Sequence, residues 1–386
     1  MKKLQEKADS LKLGLYLHVP FCARSCDFCH FYQEPPKRAD LDRYLAGMER
    51  ALSRSELPRP LNTVFWGGGT PGLLAAKDLE RLGRAVLGAN GGRRPGEWTV
   101  EMAPATVKAD KLACLRDLGV NRISMGVQSF QPKLLESLGR IHSLEQVRRS
   151  VDLLHDTGMT NFNLDLIFAI PGQDHSSWEA DLKEAVAANP AHISTYCLTF
   201  EEDTALWLRL QRGQVHKIDD DEEAGFFEIA WDVLEASGYE PYEVSNYARP
   251  GHACEHNLAT WGMQEWLGIG PSASSQMGGR RWTEPHSLET WLGGLDGADR
   301  GRLEEIVLTP EILAEDLLIF GLRMNEGVDL DKLGNRLPGS LPESWPSFME
   351  SLVAEGLAEF NNPILKLTMR GRLVADRIGE EILGLD

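Results

Sequence analysis

Short apolar runs alternate with amphipathic stretches over the first half of the chain. The apolar runs predict six strands, at Gly14–Val19, Asn62–Trp66, Trp98–Met102, Asn121–Val127, Phe162–Ile170 and His192–Leu198. The stretches between them have helical periodicity, at Asp40–Ser53, Asp78–Leu87, Val107–Leu118, Leu144–Thr157 and Trp178–Ala188. Strands that alternate with helices indicate a parallel sheet with helical crossovers. The sequence therefore predicts an α/β fold whose six units fall short of a closed eight-stranded barrel.

A different pattern follows after about residue 280. Helical segments at Glu311–Leu322, Leu330–Leu333 and Ser347–Glu355 precede a predicted hairpin at Leu357–Leu367, which turns at Asn361–Pro363, and a last helix at Met369–Ile382. Helices followed by a two-stranded wing favour a small winged-helix-like accessory domain. We therefore predict two units, residues 1–280 and residues 281–386, and the second begins with a linker.

The charge balance argues against a nucleic-acid-binding surface. The chain has 40 basic and 58 acidic side chains and a net charge of -18. A DNA-reading helix needs basic residues, and Leu337–Glu355 contains no lysine or arginine. The chain has no apolar run long enough to span a membrane, and Met1–Lys3 is not followed by the apolar segment of a signal peptide. We predict a cytoplasmic location.

Three closely spaced cysteines carry the clearest chemical signal. Cys22, Cys26 and Cys29 form the spacing C-x3-C-x2-C directly after the first predicted strand. Three thiolates on one loop can hold three irons of a cubane cluster, which leaves the fourth iron open. Clusters that only transfer electrons usually have four cysteine ligands. The open iron therefore predicts that a small molecule binds to the cluster directly.

Two other uses of the cysteines compete with the cluster. A structural zinc site needs four ligands, and His18 or His30 could supply the fourth. Disulfides are disfavoured, because a chain with six cysteines and no secretory signal is expected in a reducing compartment. Cys114 and Cys197 fit buried apolar positions. Cys254 stands between two histidines and is less readily explained in this way.

The cysteine spacing resembles the signature of the radical S-adenosylmethionine (SAM) superfamily. A partial, open (β/α)6 barrel resembling a TIM barrel is the fold that this resemblance implies for residues 1–280, and in such folds the chemistry sits at the C-terminal ends of the strands. The segment Gly67–Pro71 follows the second predicted strand and reads Gly-Gly-Gly-Thr-Pro. That pattern is similar to the glycine motif of the coproporphyrinogen III oxidase-like branch. The resemblance extends from Tyr16 to the C-terminal domain.

The resemblance implies a SAM site as well as a 4Fe-4S cluster on the three cysteines. The glycine motif would hold the methionine amino group, Phe28 would stack on adenine, and Arg140 would pair with the methionine carboxylate. Two carboxylates would bind ribose hydroxyls. The complete set of expected SAM-binding residues is Tyr16, Phe28, Gly68, Gly69, Thr70, Glu101, Gln128, Arg140 and Asp165. When an electron reaches SAM through the cluster, members of the superfamily form a 5'-deoxyadenosyl radical.

Two members of the branch compete as the best match. The oxygen-independent coproporphyrinogen III oxidase has a further cysteine where this chain has Phe31, and it has a long N-terminal extension where this chain has 21 residues before Cys22. The HemW-type haem chaperone lacks both features. Segments His192–Thr204 and Tyr242–His252 also resemble the chaperone. We therefore predict a haem chaperone, with the radical enzyme as the alternative; coproporphyrinogen decarboxylation is disfavoured, and enzymatic activity is left open.

The haem motif of that family is only partly present. The motif reads His-Asn-x-x-Tyr, whereas this chain has His256 and Asn257 but Thr260 in place of the tyrosine. His256 is the candidate haem ligand, and the alternative is that it only hydrogen-bonds its own loop. A second departure is His30, where the resemblance predicts aspartate. The expected partners are SAM, haem or a porphyrin, an electron donor such as flavodoxin or ferredoxin, and a haem-acceptor protein.

Overall fold

Six parallel strands in chain order form the centre of the molecule. The computed structural model describes residues 12–297 and 300–385, and the predicted lack of a signal peptide at the N-terminus lies outside these residues. The central strands belong to a twelve-stranded sheet. They are β1 (Leu13–Val19), β2 (Thr63–Gly68), β3 (Glu97–Met102), β4 (Arg122–Gln128), β5 (Phe162–Phe168) and β6 (His192–Cys197). All six predicted strands are therefore confirmed, with small shifts at their ends.

Helices connect these strands and cover one face of the sheet. The crossover helices are α1 (Arg38–Ser53), α2 (Ala76–Ala89), α3 (Ala109–Leu118), α4 (Pro132–Ser137), α5 (Leu144–Asp156) and α6 (His175–Ala187). Short 3-10 turns, Pro71–Leu73 and Pro104–Thr106, follow β2 and β3. Within the described residues, no helix is long and apolar enough to cross a membrane.

Alternation along each central strand separates the two faces of the sheet. In β1, Leu13, Leu15 and Leu17 belong to the main hydrophobic core, whereas Gly14 and Tyr16 lie on the opposite, inward face. The other central strands repeat this pattern with tryptophan, valine, isoleucine or phenylalanine on the core side. Polar side chains therefore collect on the inward face, where the curved sheet encloses them.

Further strands extend both edges and leave the barrel open. Beyond β6 lie β8 (Asn246–Ala248) and β7 (Glu240–Pro241), both antiparallel. Beside β1 lies the parallel strand β9 (Glu265–Ile269). It is followed by three antiparallel strands, β10 (Ser274–Met277), β11 (Arg280–Thr283) and β12 (Leu303–Val307). The edges, β7 and β12, are not paired with each other, which confirms the predicted partial barrel. The sheet continues past residue 280, and the predicted division at 280/281 stays a prediction.

Four more helices complete the barrel region. They are α7 (Ala205–Gln211), α8 (Asp220–Ala236), α9 (Glu255–Trp261) and α10 (Leu288–Gly294). Helix α9 follows the β7–β8 hairpin and contacts β1, β2 and β9. It closes the N-terminal end of the barrel, where it brings His256 beneath Gly14.

The C-terminal residues form a second, smaller sheet with its own helices. The elements are α11 (Pro310–Arg323), β13 (Val328–Asp329), α12 (Leu330–Gly334), α13 (Ser344–Ala354), β14 (Ala358–Asn361), β15 (Ile364–Leu367), α14 (Met369–Leu373) and α15 (Ala375–Leu383). The predicted hairpin is present as β14 and β15. The single last helix of the prediction is wrong, because Val374 leaves the helical conformation (φ -117°, ψ 23°) and separates α14 from α15.

Candidate functional site

A cavity of about 630 Å³ opens at the C-terminal ends of the central strands. Its walls come from the loop after β1, the loop after β2, and the ends of β3 to β6. The predicted site residues among those that line it are Cys22, Cys26, Phe28, Cys29, Gly68, Gly69, Thr70, Glu101, Gln128, Arg140 and Asp165. The fold thus brings together residues that lie up to 143 positions apart in the sequence.

Backbone hydrogen bonds hold the cysteine loop over this cavity. The amide of Cys22 donates to the carbonyl of Glu34 (3.0 Å), and the amide of Asp27 donates to the carbonyl of Leu138 (3.0 Å). The carbonyl of Asp27 in turn accepts from Leu206 at the start of α7 (2.7 Å). Three separate parts of the chain therefore fix the loop, although it contains no helix or strand of its own.

The three thiols in the loop are free and half-buried. Burial raises the pKa of Cys29 to about 11, and it raises the pKa of Cys22 as well. Iron binding would have to overcome this cost by stabilising the thiolates. Within the described residues, no three His, Cys, Asp or Glu side chains converge on one metal ion. A cubane cluster would spread its cysteine ligands over different irons.

The glycine loop lies against the cysteine loop because it lacks side chains. Gly68 has a φ of 99°, and a Cβ there would lie 2.5 Å from the His18 ring. A Cβ on Gly69 would lie 2.7 Å from the carbonyl oxygen of Val19. The amide of Thr70 donates to the carbonyl of Phe21 (2.8 Å), and its hydroxyl lies 3.5 Å from the Cys22 sulfur. The loop thereby leaves open backbone beside the cysteines.

Two carboxyl groups face each other across the inward side of the barrel. Burial raises the pKa of Glu101 to about 8, and the charge of Asp165 adds to the shift. Burial also raises the pKa of Asp165, against the hydrogen bonds that it accepts from Asn163 (2.7 Å) and Ser124 (3.2 Å). Such buried carboxyls are suited to hydroxyl groups, with which they can act as acceptor or donor.

Arg140 supplies positive charge to the same cavity. Its Nε is buried and has no hydrogen-bond partner among the described residues. The neighbouring residue Gln128 ends β4 with a φ of 69°, a left-handed conformation that is strained for a side chain of this size. A guanidinium with an unpaired, buried Nε beside a strained strand end fits a ligand carboxylate, which can pair with the guanidinium.

Tyr16 lies apart from the other predicted SAM residues. Its ring stands on the inward face of β1 and stacks on Phe65, with the centroids 6.3 Å apart. Its hydroxyl lies 3.3 Å from Nδ1 of His18, and Tyr16 is not among the residues that line the cavity. Its role in SAM binding stays a prediction. It requires SAM to contact a residue that does not line the cavity.

His256 also lies outside the cavity. It is 8% exposed, its Nδ1 lies 2.8 Å from the Thr63 hydroxyl, and its ring packs on Phe65 at 5.3 Å. Burial lowers its pKa to about 4. The hydroxyl of Thr260 only bonds the carbonyl of His256 one turn earlier (2.9 Å). Haem ligation by His256 stays a prediction, and it requires α9 to move away from the strands.

Cys254 is also buried outside the cavity. It is 2% exposed, and its thiol donates to Glu97 (3.4 Å).

Sequence reasoning missed several residues that do line the cavity. They are Arg24, Gln33, Met102, Ala103, Ser124, Gly126, Ile167, Tyr196, Cys197, Leu198, Thr199 and Glu201, and His30, which was considered only as a zinc ligand, lines the cavity as well. Five of them fall at or just after the end of β6, so the strand-end rule applied to this strand could have identified them.

The residues present fit both expected groups. Three free thiols stand on one loop, the glycine loop leaves room beside them, and Arg140 offers an unpaired donor to a carboxylate. Glu101 and Asp165 offer acceptors to hydroxyl groups at the adjacent strand ends. The individual binding roles stay predictions.

Comparisons with known proteins show which families this chain resembles. The family description "Radical SAM superfamily" matches residues 16–185, and "HemN C-terminal domain" matches residues 308–374. The chain is 31% identical to "Heme chaperone HemW" of Bacillus subtilis (strain 168), over 96% of this chain and 98% of that protein. It is 33% identical to the protein of the same name from Mycobacterium tuberculosis (strain ATCC 25618 / H37Rv), over 96% and 95% of the two chains.

One solved structure matches almost the whole fold. It is coproporphyrinogen III oxidase (HemN) from Escherichia coli, described as a radical SAM enzyme, with a TM-score of 0.84. The match covers 96% of this chain and 90% of the other at 23% identity, so the likeness concerns the fold. It includes both the partial barrel and the C-terminal region.

Proposed function

Because the chain belongs to the HemW family of the radical SAM superfamily, we propose that it is a haem chaperone that binds a 4Fe-4S cluster and SAM in the cavity described above. The relatives named as haem chaperones match it along nearly their whole length. The cavity is the observation that carries the proposal, because it joins three free cysteines to an unpaired guanidinium and two buried carboxyls.

Cys22, Cys26 and Cys29 would hold three of the four irons. The loop has three separate backbone anchors, so the thiols are positioned before the metal arrives. Phe28 lies between two of these cysteines and would cover the adenine of SAM. When bound, the cluster and SAM supply one-electron chemistry that side chains cannot provide.

The other residues of the cavity would orient SAM. Arg140 would pair with the methionine carboxylate through two parallel hydrogen bonds. The open backbone at Gly68 and Gly69, together with Thr70, would receive the amino group. Glu101 and Asp165 would bind the ribose hydroxyls, and the raised pKa of Glu101 means that its carboxyl can also donate a hydrogen bond.

Partners and location follow from the same proposal. A haem chaperone needs an acceptor protein, and the cluster needs an electron donor, for which a flavodoxin or ferredoxin is the expected class. All six cysteines are free thiols, which fits a reducing compartment such as the cytoplasm.

The test of the function is a haem titration on anaerobically reconstituted protein, followed by absorbance. A chaperone should bind haem stoichiometrically and saturably, and it should not decarboxylate coproporphyrinogen III. If the protein shows no specific haem binding but cleaves SAM faster when coproporphyrinogen III is added, the chaperone function is wrong and the radical oxidase is favoured.

A further inference from the structure

We propose that His30, at the mouth of the cavity, is an axial ligand to haem iron in this chain. This inference rests on the proposed chaperone function, and it names the binding site of the haem. His30 directly follows Cys29 and is the one histidine among the residues that line the cavity. Its side chain is exposed, so a large planar ligand can reach it without a change in the fold.

The hydrogen bond of His30 leaves the correct nitrogen for iron. Its Nδ1 lies 3.2 Å from the carbonyl oxygen of Glu202. A carbonyl oxygen can only accept, so Nδ1 is the donor in this bond, and Nε2 takes no part in it. A ligating imidazole is usually held in this way, with its second nitrogen donating to a backbone carbonyl. The hydrogen bond to Glu202 therefore leaves Nε2 as the nitrogen available to iron.

The wall around His30 is apolar enough for a macrocycle. Phe31 is 66% exposed and Tyr196 is 41% exposed, and both line the cavity. Leu198 lines it too and packs in a small hydrophobic cluster. Exposed aromatic side chains at a concave site mark a surface that binds an apolar ligand. A porphyrin ring stacked on these residues would cover them.

A cation at the mouth suits the acidic groups of haem. Arg24 lines the cavity, is exposed, and forms no salt bridge with the rest of the described chain. Its guanidinium can pair with a propionate carboxylate. An exposed arginine that lines the same cavity as these aromatic side chains favours an anionic aromatic ligand.

The other candidate ligand is less accessible. The ring of His256 is 8% exposed, lies under β1 and β2, and already engages its Nδ1 with Thr63. Haem binding there would have to displace α9 from contacts with β1, β2 and β9. Binding at His30 needs no such rearrangement.

The test is a haem titration of the full-length, cluster-loaded chain in three forms: unchanged, His30→Ala and His286→Ala. His286 is exposed, bonds Ser272 through Nδ1 (3.1 Å), and lies outside the cavity. We expect His30→Ala to weaken haem affinity by at least about tenfold and to remove the spectral signature of histidine ligation. His286→Ala should bind haem as the unchanged chain does. Iron content, measured in each form, checks that the cluster remains.

The outcomes separate the two proposals. If the unchanged chain does not bind haem, the chaperone function fails, and this inference fails with it. If the unchanged chain and His30→Ala bind haem equally, the inference alone is wrong, and a loss in His256→Ala would then assign the ligand to His256. His30→Cys provides a second test, because haem should rebind with the spectrum of a thiolate ligand. An unchanged spectrum in that variant would contradict the inference.

Discussion

Polar side chains line the inside of the barrel at both ends, but they are paired differently at the two ends. At the N-terminal end they bond to one another. His192 donates from Nδ1 to Asn163 (2.7 Å), and its Nε2 accepts from the hydroxyl of Tyr242 (2.8 Å). Glu97 accepts from the amides of Glu255 and His256 at the start of α9 (3.0 and 2.9 Å).

At the C-terminal end one donor among the predicted site residues is left unpaired. Arg140 has a buried Nε without a partner, and the carboxyl of Glu101 is buried with a raised pKa. Unpaired buried groups lower the stability of a fold unless a ligand satisfies them. The hydrogen bonds at the N-terminal end, called the lower end below, therefore stabilise the barrel. The polar groups at the C-terminal end, called the upper end, are available to bind a ligand. The two ends should therefore respond differently to substitution.

The largest expected effect is the loss of the cluster from the upper end. Cys26→Ala removes one of the three thiolates, so reconstituted protein should contain almost no cluster iron. Cys114→Ala is the matched control, because this half-buried thiol bonds the carbonyl of Ala76 (3.3 Å) on the helical layer. Iron and sulfide analysis measures both variants. Full iron content in Cys26→Ala would contradict the ligand assignment.

The next effect concerns the lower end and depends on pH. Burial lowers the pKa of His256 to about 4, whereas an unfolded chain has an ordinary value near 6.5. The unfolded state therefore takes up a proton first, and this residue makes stability fall as pH drops from about 6.5 to 4, by up to roughly 3 kcal/mol. Above that window its contribution is constant.

The variant His256→Gln isolates this contribution from the other buried histidines. Glutamine does not titrate and can still bond Thr63, so the free energy of unfolding should depend less on pH within the window. Urea titrations at several pH values measure the difference. Parallel pH profiles for the two proteins would show that His256 titrates normally.

At the upper end, Arg140→Ala should lower the affinity for SAM without lowering the stability of the fold. Hydrogen bonds to charged groups contribute about 1.5 to 3 kcal/mol, so SAM affinity should fall by roughly 10- to 150-fold. Stability should not fall, because the guanidinium has an unsatisfied donor before SAM binds. Calorimetry on cluster-loaded protein gives the affinity, and Arg84→Ala is the control for an exposed arginine. Unchanged affinity would remove Arg140 from the SAM site.

The sequence predicted the strands and the upper site well for a physical reason. Residues that face the core alternate with residues that face inward, so the sequence shows where each strand lies and where it ends. Parallel strands end at one edge, and this brings the cysteine loop to Glu101 and Asp165. The family resemblance then supplied the expected role of each residue.

The lower end could not be predicted in the same way. The position of α9 depends on Glu97, which accepts hydrogen bonds from residues 158 and 159 positions later. No local sequence pattern predicts a contact between residues so far apart. The sequence alone therefore did not distinguish between His256 as a ligand and His256 as a buried structural residue. The added strands β9 to β12 are short and largely polar on their exposed face, which hides their period.

A smaller loss of stability is expected when a hydrogen-bond network at the N-terminal end is broken. His192→Phe keeps an aromatic ring in a position that is 1% exposed, but it removes the two hydrogen bonds that the imidazole makes to Asn163 and to the hydroxyl of Tyr242. Stability should fall by roughly 1 to 2 kcal/mol, because buried polar groups lose their hydrogen bonds. Urea denaturation measures the change, with His286→Phe as an exposed control.

The cluster content should stay unchanged, and SAM affinity should fall at most slightly, because Asn163 also positions Asp165 (2.7 Å). If His192→Phe lost SAM binding but kept full stability, the lower network would belong to the binding site, and the division between the two ends would be wrong.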